Sequence, residues 1–328
     1  MVILHRDNTI YLLPPDIDKK EQLLNGFYNP KFEKILKSNN IPHKVTYYED
    51  YENDLEGDYF VGRFAHAFPD KELHSKCFDK LYNHYGENMW PNKKAYYYYD
   101  DKIRQYELLE KYGIQIPSVT CNDLDELLKT VTIGTVVKST YGAGGESIFY
   151  VWEKEHLDNL ESYISDITSK DWIDNNFFPC QVQEFIDIEY ETQLFFTNDE
   201  VHGFNLIPVE EFNSPLSFPR NRVDGEHWAN YVLKTGYDSL SGKEFNLDLI
   251  EKLYEIKKQL NTPNLKFDII DNKVSEFSYV YGEMLPGTKS LTYDYYNFDK
   301  SIFGERVISI NDFTYKQQTS VLKHLGII

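Results

Sequence analysis

The chain has 328 residues and a mass of 38.8 kDa, too long for one small module and ample for a core without a disulfide or metal staple. A formal charge of −19 argues against general affinity for nucleic acid or an anionic membrane surface. No apolar run approaches the roughly 18 residues of a membrane span. Charge at His5, Arg6 and Asp7 arrives too early for a secretory signal. Cys77, Cys121 and Cys180 stand far apart and outside any CxxC pattern, which reads as reduced thiols and a cytoplasmic location.

In chain order, Val2–Leu4 and Ile10–Leu13 have strand character. Pro30–Lys37 carries Phe32, Ile35 and Leu36 at helical spacing. Strands at Val45–Tyr48 and Tyr59–Phe64 and a helix at Lys71–Tyr85 complete an alternation that predicts a small α/β domain with a mainly parallel sheet. A helix follows over Asp100–Tyr112, with Ile103, Tyr106 and Leu109 on one stripe, aspartates at its start and Gly113 at its end. Strands are expected at Val136–Lys138 and Ile148–Val151, a helix and an acidic connection over Glu153–Asn176, and strands at Cys180–Ile186, Thr192–Thr197 and Val201–Ile207. The stretch Pro208–Tyr237 is irregular, and loops of that length are usually functional or mobile. Helix Leu247–Leu260 and strands Leu265–Ile270 and Val274–Phe277 come next, and the remainder reads as loop plus a terminal helix.

Three constellations could carry chemistry. In the first, Lys138 ends a strand before Tyr141-Gly142-Ala143-Gly144-Gly145-Glu146-Ser147. Glycines packed this densely leave backbone N–H groups able to curl around phosphate oxygens. An ordinary hairpin with a flexible tip fits the same residues, and neither a P-loop nor a dinucleotide fingerprint is present. In the second, a three-residue loop at Asp271–Lys273 would place Asp268 opposite Glu276 and Ile270 opposite Val274. Two opposed carboxylates suit Mg²⁺ held with substrate phosphates. A two-residue turn at Asp271-Asn272 would instead separate them onto opposite faces. The third is Gln181-Val182-Gln183-Glu184-Phe185-Ile186, with Glu189 and Glu191 beyond. It reads either as a strand end able to meet an adenine edge and a ribose, or as a buried strand with acidic flanks.

The order of these pieces over Tyr99–Ser278, with Lys102 on a preceding helix and Gly113-Ile114-Gln115-Ile116-Pro117 after it, resembles the ATP-grasp superfamily. The likeness is nearest the branch of the ribosomal-protein glutamate ligases and, more distantly, D-alanine–D-alanine ligase. It covers somewhat over half the chain. It implies an α/β and α+β fold in which an N-terminal α/β domain, residues 1–95, precedes a lid subdomain, 96–184, and a C-terminal subdomain with the metal site, 185–328. It further implies that Lys102 and Lys138 contact ATP phosphates, and that Gly142, Gly144, Gly145 and Ser147 close over them. Glu184, Phe185 and Ile186 would meet adenine and Glu191 the ribose. Asp268, Glu276 and Ser278 would hold Mg²⁺, with Mn²⁺ as a substitute. Ser278 stands where the family usually has Asn, and the arginine usual near Gln193 is missing. Arg220 or Arg222 could supply that charge as catalytic groups beside Lys138.

The activity implied is an ADP-forming ligation of a carboxylate to an amine through an acyl phosphate, with a small-molecule kinase or a non-catalytic nucleotide binder as alternatives. Amino acids, peptides and sugar acids are all open as substrates. Arg63, a carboxylate clamp or a surface salt bridge, and His66, its partner or a packed histidine, are the substrate candidates. No nucleic-acid or membrane partner is expected, and a homo-oligomer is left open.

Overall fold

The computed structural model describes residues 1–6, 29–47, 55–62, 64, 71–99, 101–141, 148–168, 177–186, 191–208, 235–239, 246–279, 290–298 and 302–328. The expected strand at Ile10–Leu13 lies outside them.

The first sheet is parallel, in the order β2-β1-β3-β4, from β1 (Val2–Arg6), β2 (His43–Tyr47), β3 (Tyr59–Val61) and β4 (Met89–Trp90). Parallel neighbours need crossovers, and helices α1 (Asn29–Ser38) and α2 (Lys71–Tyr85) supply two of them. Phe32, Ile35 and Leu36 form the buried stripe of α1, as their spacing predicts. The short helix α3 (Lys93–Tyr98) then leads to α4 (Lys102–Glu110). The side chain of Asp101 caps α4 by accepting from Arg104 N–H at 3.0 Å. Beyond its end, Gly113 turns the chain at φ +66°.

The second sheet is wholly antiparallel, in the order β5-β8-β6-β7: β5 (Ser118–Cys121), β6 (Thr135–Ser139), β7 (Ile148–Val151) and β8 (Cys180–Glu184). One face buries Val137, Phe149, Val151 and Val182 against α5 (Leu124–Thr130), α6 (Lys154–Asp158) and α7 (Leu160–Thr168). The helix and acidic connection expected over Glu153–Asn176 hold two short helices among the described residues. Strand β5 and helix α5 follow Pro117, in a stretch where the sequence names no element.

The third sheet runs β13-β12-β9-β10-β14-β15, with β11 also on β10: β9 (Glu191–Thr197), β10 (Glu200–Pro208), β11 (Thr235–Ser239), β12 (Asn264–Ile270), β13 (Lys273–Ser278), β14 (Ser290–Asn297) and β15 (Ile302–Ser309). Strands β14 and β15 correct the expected loop. Their Tyr, Thr, Phe, Ile and Val content suits a pleated surface. Helix α8 (Leu247–Leu260) has the expected boundaries and starts on an Asn246 cap. Helix α9 (Ile310–His324) ends the chain's regular structure.

A single apolar cluster joins the first and third sheets: Val2, Leu4 and Phe32 meet Phe196, Phe267, Leu253 and the α9 residues Val321 and Leu322. The second sheet has its own cluster. No described helix is long and apolar enough to cross a membrane, and Cys77, Cys121 and Cys180 are buried and unbridged.

Candidate active site

The acidic hairpin combines both expected geometries. Asp271 (φ 46°) and Asn272 (φ 59°) make a two-residue left-handed turn, so the three-residue loop is corrected and Ile269, not Ile270, pairs with Val274. The register then slips by one residue, and Asp268 still lies opposite Glu276. Ser275 is the extra residue of this bulge, and its hydroxyl donates to Asp268 O at 3.1 Å. The core explains the bulge. Val274 and Phe277 are both buried in the common cluster. Three positions apart, they would fall on opposite faces of a regular strand. The extra residue restores them to one face and sends Glu276 and Asp268 to the other.

On that face Gln193 Nε2 donates to Asp268 Oδ1 at 3.0 Å and lies 3.3 Å from Glu191 Oε1. Lys266 Nζ stands 3.2 Å from Asp268 Oδ2, the two side chains only 14% and 13% exposed. Ser278 pairs with Lys266 in register. The structure therefore gathers Glu191, Gln193, Asp268, Glu276, Ser278 and Lys266 on one sheet face. Lys266 is the residue that sequence reasoning missed. Its signal was available, since a residue two before Asp268 in a strand shares its face.

Helix α4 connects this face to the second sheet. The amide of Gln183 in β8 donates to the Tyr106 hydroxyl. That hydroxyl is held above the usual phenol range by burial first and then by the negative charge of Glu276. Glu276 thus acts electrostatically on a side chain that touches β8. Lys102, 2% exposed, begins the same helix. Its N–H donates to Thr140 O at 3.0 Å, and Tyr141 Oη donates to Asp101 Oδ2 at 3.2 Å. The start of α4 is thereby tied to the chain just beyond Lys138. The buried positions of α4 are Lys102, Gln105, Tyr106, Leu108 and Leu109, with Ile103 half-buried, which corrects the expected stripe.

Lys138 lies opposite Gln181 and Ile148, and Val136 opposite Gln183. Alternation puts Lys138, Gln181 and Gln183 on the face away from the sheet's own core, the face that meets Tyr106. Glu184 ends β8 exposed. The N–H of Phe185 is spent on Gly134 O at 2.8 Å, so its carbonyl is what the backbone there can offer a ligand. The Phe185 ring packs edge-on against Trp152, centroids 4.0 Å apart, and at 6.0 Å from Tyr150. Ile186 beside it is half-buried. Gly142, Gly144, Gly145, Ser147, Arg63, His66, Arg220 and Arg222 lie outside the described residues.

Among the described residues no group of three or more His, Cys, Asp or Glu side chains could hold a metal ion. The donor set still fits Mg²⁺, which takes one or two carboxylates and completes its shell with phosphate oxygens and water. Asp268 is an acceptor-only carboxylate on this face, with Gln193 at one oxygen and Lys266 at the other. Glu276 directly opposite brings the second carboxylate.

No protein-family model matches the chain and no curated protein matches it. Among solved structures it is similar to D-cycloserine synthetase DcsG, with 13% identity, a TM-score of 0.60 and 99% of both chains covered. It is similar to D-alanine–D-alanine ligase from Bacillus anthracis, with 13% identity, a TM-score of 0.58 and 99% of this chain on 96% of that one. A Chryseobacterium gregarium RiPP-associated ATP-grasp ligase, seen with ADP and a leader and core peptide, matches at 12% identity and a TM-score of 0.56, over 98% and 96% of the two chains. Identity this faint over coverage this complete is a likeness of architecture: the chain has the ATP-grasp fold.

Proposed function

We propose that the protein is an ATP-dependent carboxylate–amine ligase. A carboxylate oxygen of the acid attacks the γ-phosphorus of ATP, and the bond to ADP breaks. The amine nitrogen then attacks the acyl carbon, phosphate leaves with the C–O bond pair, and the amine loses a proton to give the amide. The observation that carries this reading is the opposition of Asp268 and Glu276 on a sheet face that α4 links to Lys138 and Lys102. In an ATP-grasp fold that arrangement suits a triphosphate.

Phosphoryl transfer of this kind asks for positioning and charge neutralisation more than for proton transfer. Lys102 and Lys138 supply positive charge on the phosphate side, with residues 142–147 closing over it. Mg²⁺, when bound by Asp268 and Glu276 with Ser278 near, offsets charge on the phosphate oxygens. Lys266 takes the role for which Arg220 and Arg222 were candidates, because its ammonium already stands beside Asp268. Phe185 and Ile186, backed by Trp152, hold adenine, with Glu184 beside them and Glu191 at the ribose. The second sheet with α5, α6 and α7 forms the lid, a smaller unit than residues 96–184 because Tyr99, Leu108, Leu109 and Ile114 pack in the common core, and Arg63 and His66 receive the acid. The neighbours include a D-cycloserine synthetase, a D-alanine–D-alanine ligase and a RiPP-associated ligase seen with a leader and core peptide, which supports substrates drawn from small acids and amines, peptides included.

The test is a screen of paired acids and amines for ADP and free phosphate. The ligase reading expects both products only when acid and amine are present together. ADP with a stable phosphorylated product and no free phosphate would make the protein a kinase.

A further inference from the structure

Strand β13 is the outermost strand on its side of the third sheet, so one row of its backbone groups faces away from β12. Such a row needs partners when it is buried. Here α4 and the chain after it provide them. Val274 N–H donates to Ile114 O at 2.8 Å, and Gln115 bridges to Val274 in parallel sense. Three residues on, a side chain takes over. Phe277 N–H donates to Gln105 Oε1 at 3.0 Å, and Gln105 Nε2 donates to Phe277 O at 2.8 Å and to Tyr98 O at 2.9 Å. Gln105 is fully buried and stands in for the peptide of a neighbouring strand.

The N–H it accepts from belongs to the peptide that joins Glu276 to Phe277, and the carbonyl it donates to belongs to the next peptide, Phe277 to Ser278. The bulge at Ser275 loosens the ladder on the other side of the same strand, where pairing slips just before Glu276. The orientation of Glu276 is therefore fixed from the Gln105 side. Gln105 also lies three residues after Lys102, on the same helix face. One turn of α4 thus carries both a buried lysine and the grip on the acidic hairpin.

We propose that Gln105 is a positioning residue that sets the Glu276 carboxylate for a divalent cation by holding the peptide that follows it. The inference rests on the proposed role of Glu276 in metal binding. Outer residues that orient metal ligands typically affect affinity by about 10–100-fold.

The experiment is a titration of Mn²⁺, followed by the electron paramagnetic resonance of the free ion with ADP present, on wild type, Gln105→Met, Glu276→Gln and the double variant. Gln105→Met keeps the volume and removes all three hydrogen bonds. Mn²⁺ affinity is expected to fall about 10-fold or more in each single variant. Metal-free ADP binding should stay unchanged, and the double variant should be no weaker than Glu276→Gln alone. A folded Gln105→Met with wild-type Mn²⁺ affinity, beside a Glu276→Gln that has lost it, overturns the role of Gln105. So do losses that add in the double variant. Wild-type affinity in Glu276→Gln overturns the metal reading itself. Should Gln105→Met fail to fold, Gln105→Asn, which keeps the amide but cannot span to Phe277, replaces it with the same expected loss and the same overturning result.

Discussion

Asp268 faces Glu276 across the β12–β13 pair, and only Asp268 of the two has a lysine at salt-bridge distance among the contacts described above. Two carboxylates in this relation repel at neutral pH. Glu276→Gln is expected to leave metal-free thermal stability equal or slightly higher. It should abolish the extra stabilisation that Mg²⁺ gives in the presence of ADP, since a ligand stabilises only a fold that binds it. Differential scanning fluorimetry with and without Mg²⁺ and ADP checks both. A loss of metal-free stability would mean that Glu276 serves the fold.

Lys266 holds a charge beside Asp268 in a largely buried setting. Lys266→Met should lower turnover about 10²–10³-fold, the usual cost of removing a charge-stabilising donor at a reacting centre. Nucleotide affinity should change far less, because the defect belongs to the transition state. Lys266→Arg should recover part of the rate. Steady-state kinetics with calorimetric ADP binding separate the two effects.

Glu200 ties α9 to β10. Burial alone would raise its carboxyl, but the His202 ring, 3.5 Å away, and the hydrogen-bonded Lys316 ammonium override that and hold it at about 2. A depressed carboxylate contributes stability above its unfolded value near 4.5 and loses it as pH falls toward about 2. Glu200→Gln is expected to cost about 3 kcal/mol at pH 7 and to flatten the acid limb of the stability curve over that window. Urea unfolding at a series of pH values measures this.

Lys257 in α8 is 6% exposed and packs 5.6 Å from the Tyr254 ring centroid. Burial first, and the like charge of Lys258, bring its amine down to about 8, against a pull upward from Asp199. Below that pH the amine is charged in both states and the cost of burying it is fully present. Stability recovers as pH rises from about 8 to the unfolded value of 10.5. Lys257→Met should therefore stabilise the protein by about 2–3 kcal/mol at pH 7. The gain should be largely gone by pH 10.5, where the wild-type amine is neutral in the folded state and half neutral in the unfolded one, and should vanish above it. A gain independent of pH would trace to packing.

Regular elements with strong periodicity were legible in the sequence: α8 to the residue, α1 by its apolar stripe, and the strands of the acidic hairpin. The opposition of Asp268 and Glu276 was foreseen through a loop that does not exist. A bulge changes register without leaving a mark in side-chain alternation, and only the core positions of Val274 and Phe277 betray it. The buried face of α4 was misread because Lys102 and Gln105 occupy it. Polar residues inside a stripe break the apolar pattern, and their partners, Thr140 and Phe277, lie far along the chain. Strands β14 and β15 pair with each other as a local hairpin, and they went unread because Asp294, Asn297, Gly304 and Glu305 interrupt their strand-forming residues.

The second sheet keeps its apolar cluster to itself, while the first and third share theirs. A unit with a private centre can rock as a rigid body without breaching the main core. Among the described residues the bonds that such a swing exchanges are polar, Gln183 to Tyr106, Lys102 to Thr140 and Tyr141 to Asp101. Under the proposed reading, opening to admit a nucleotide trades those contacts for water, with α4 as the fulcrum.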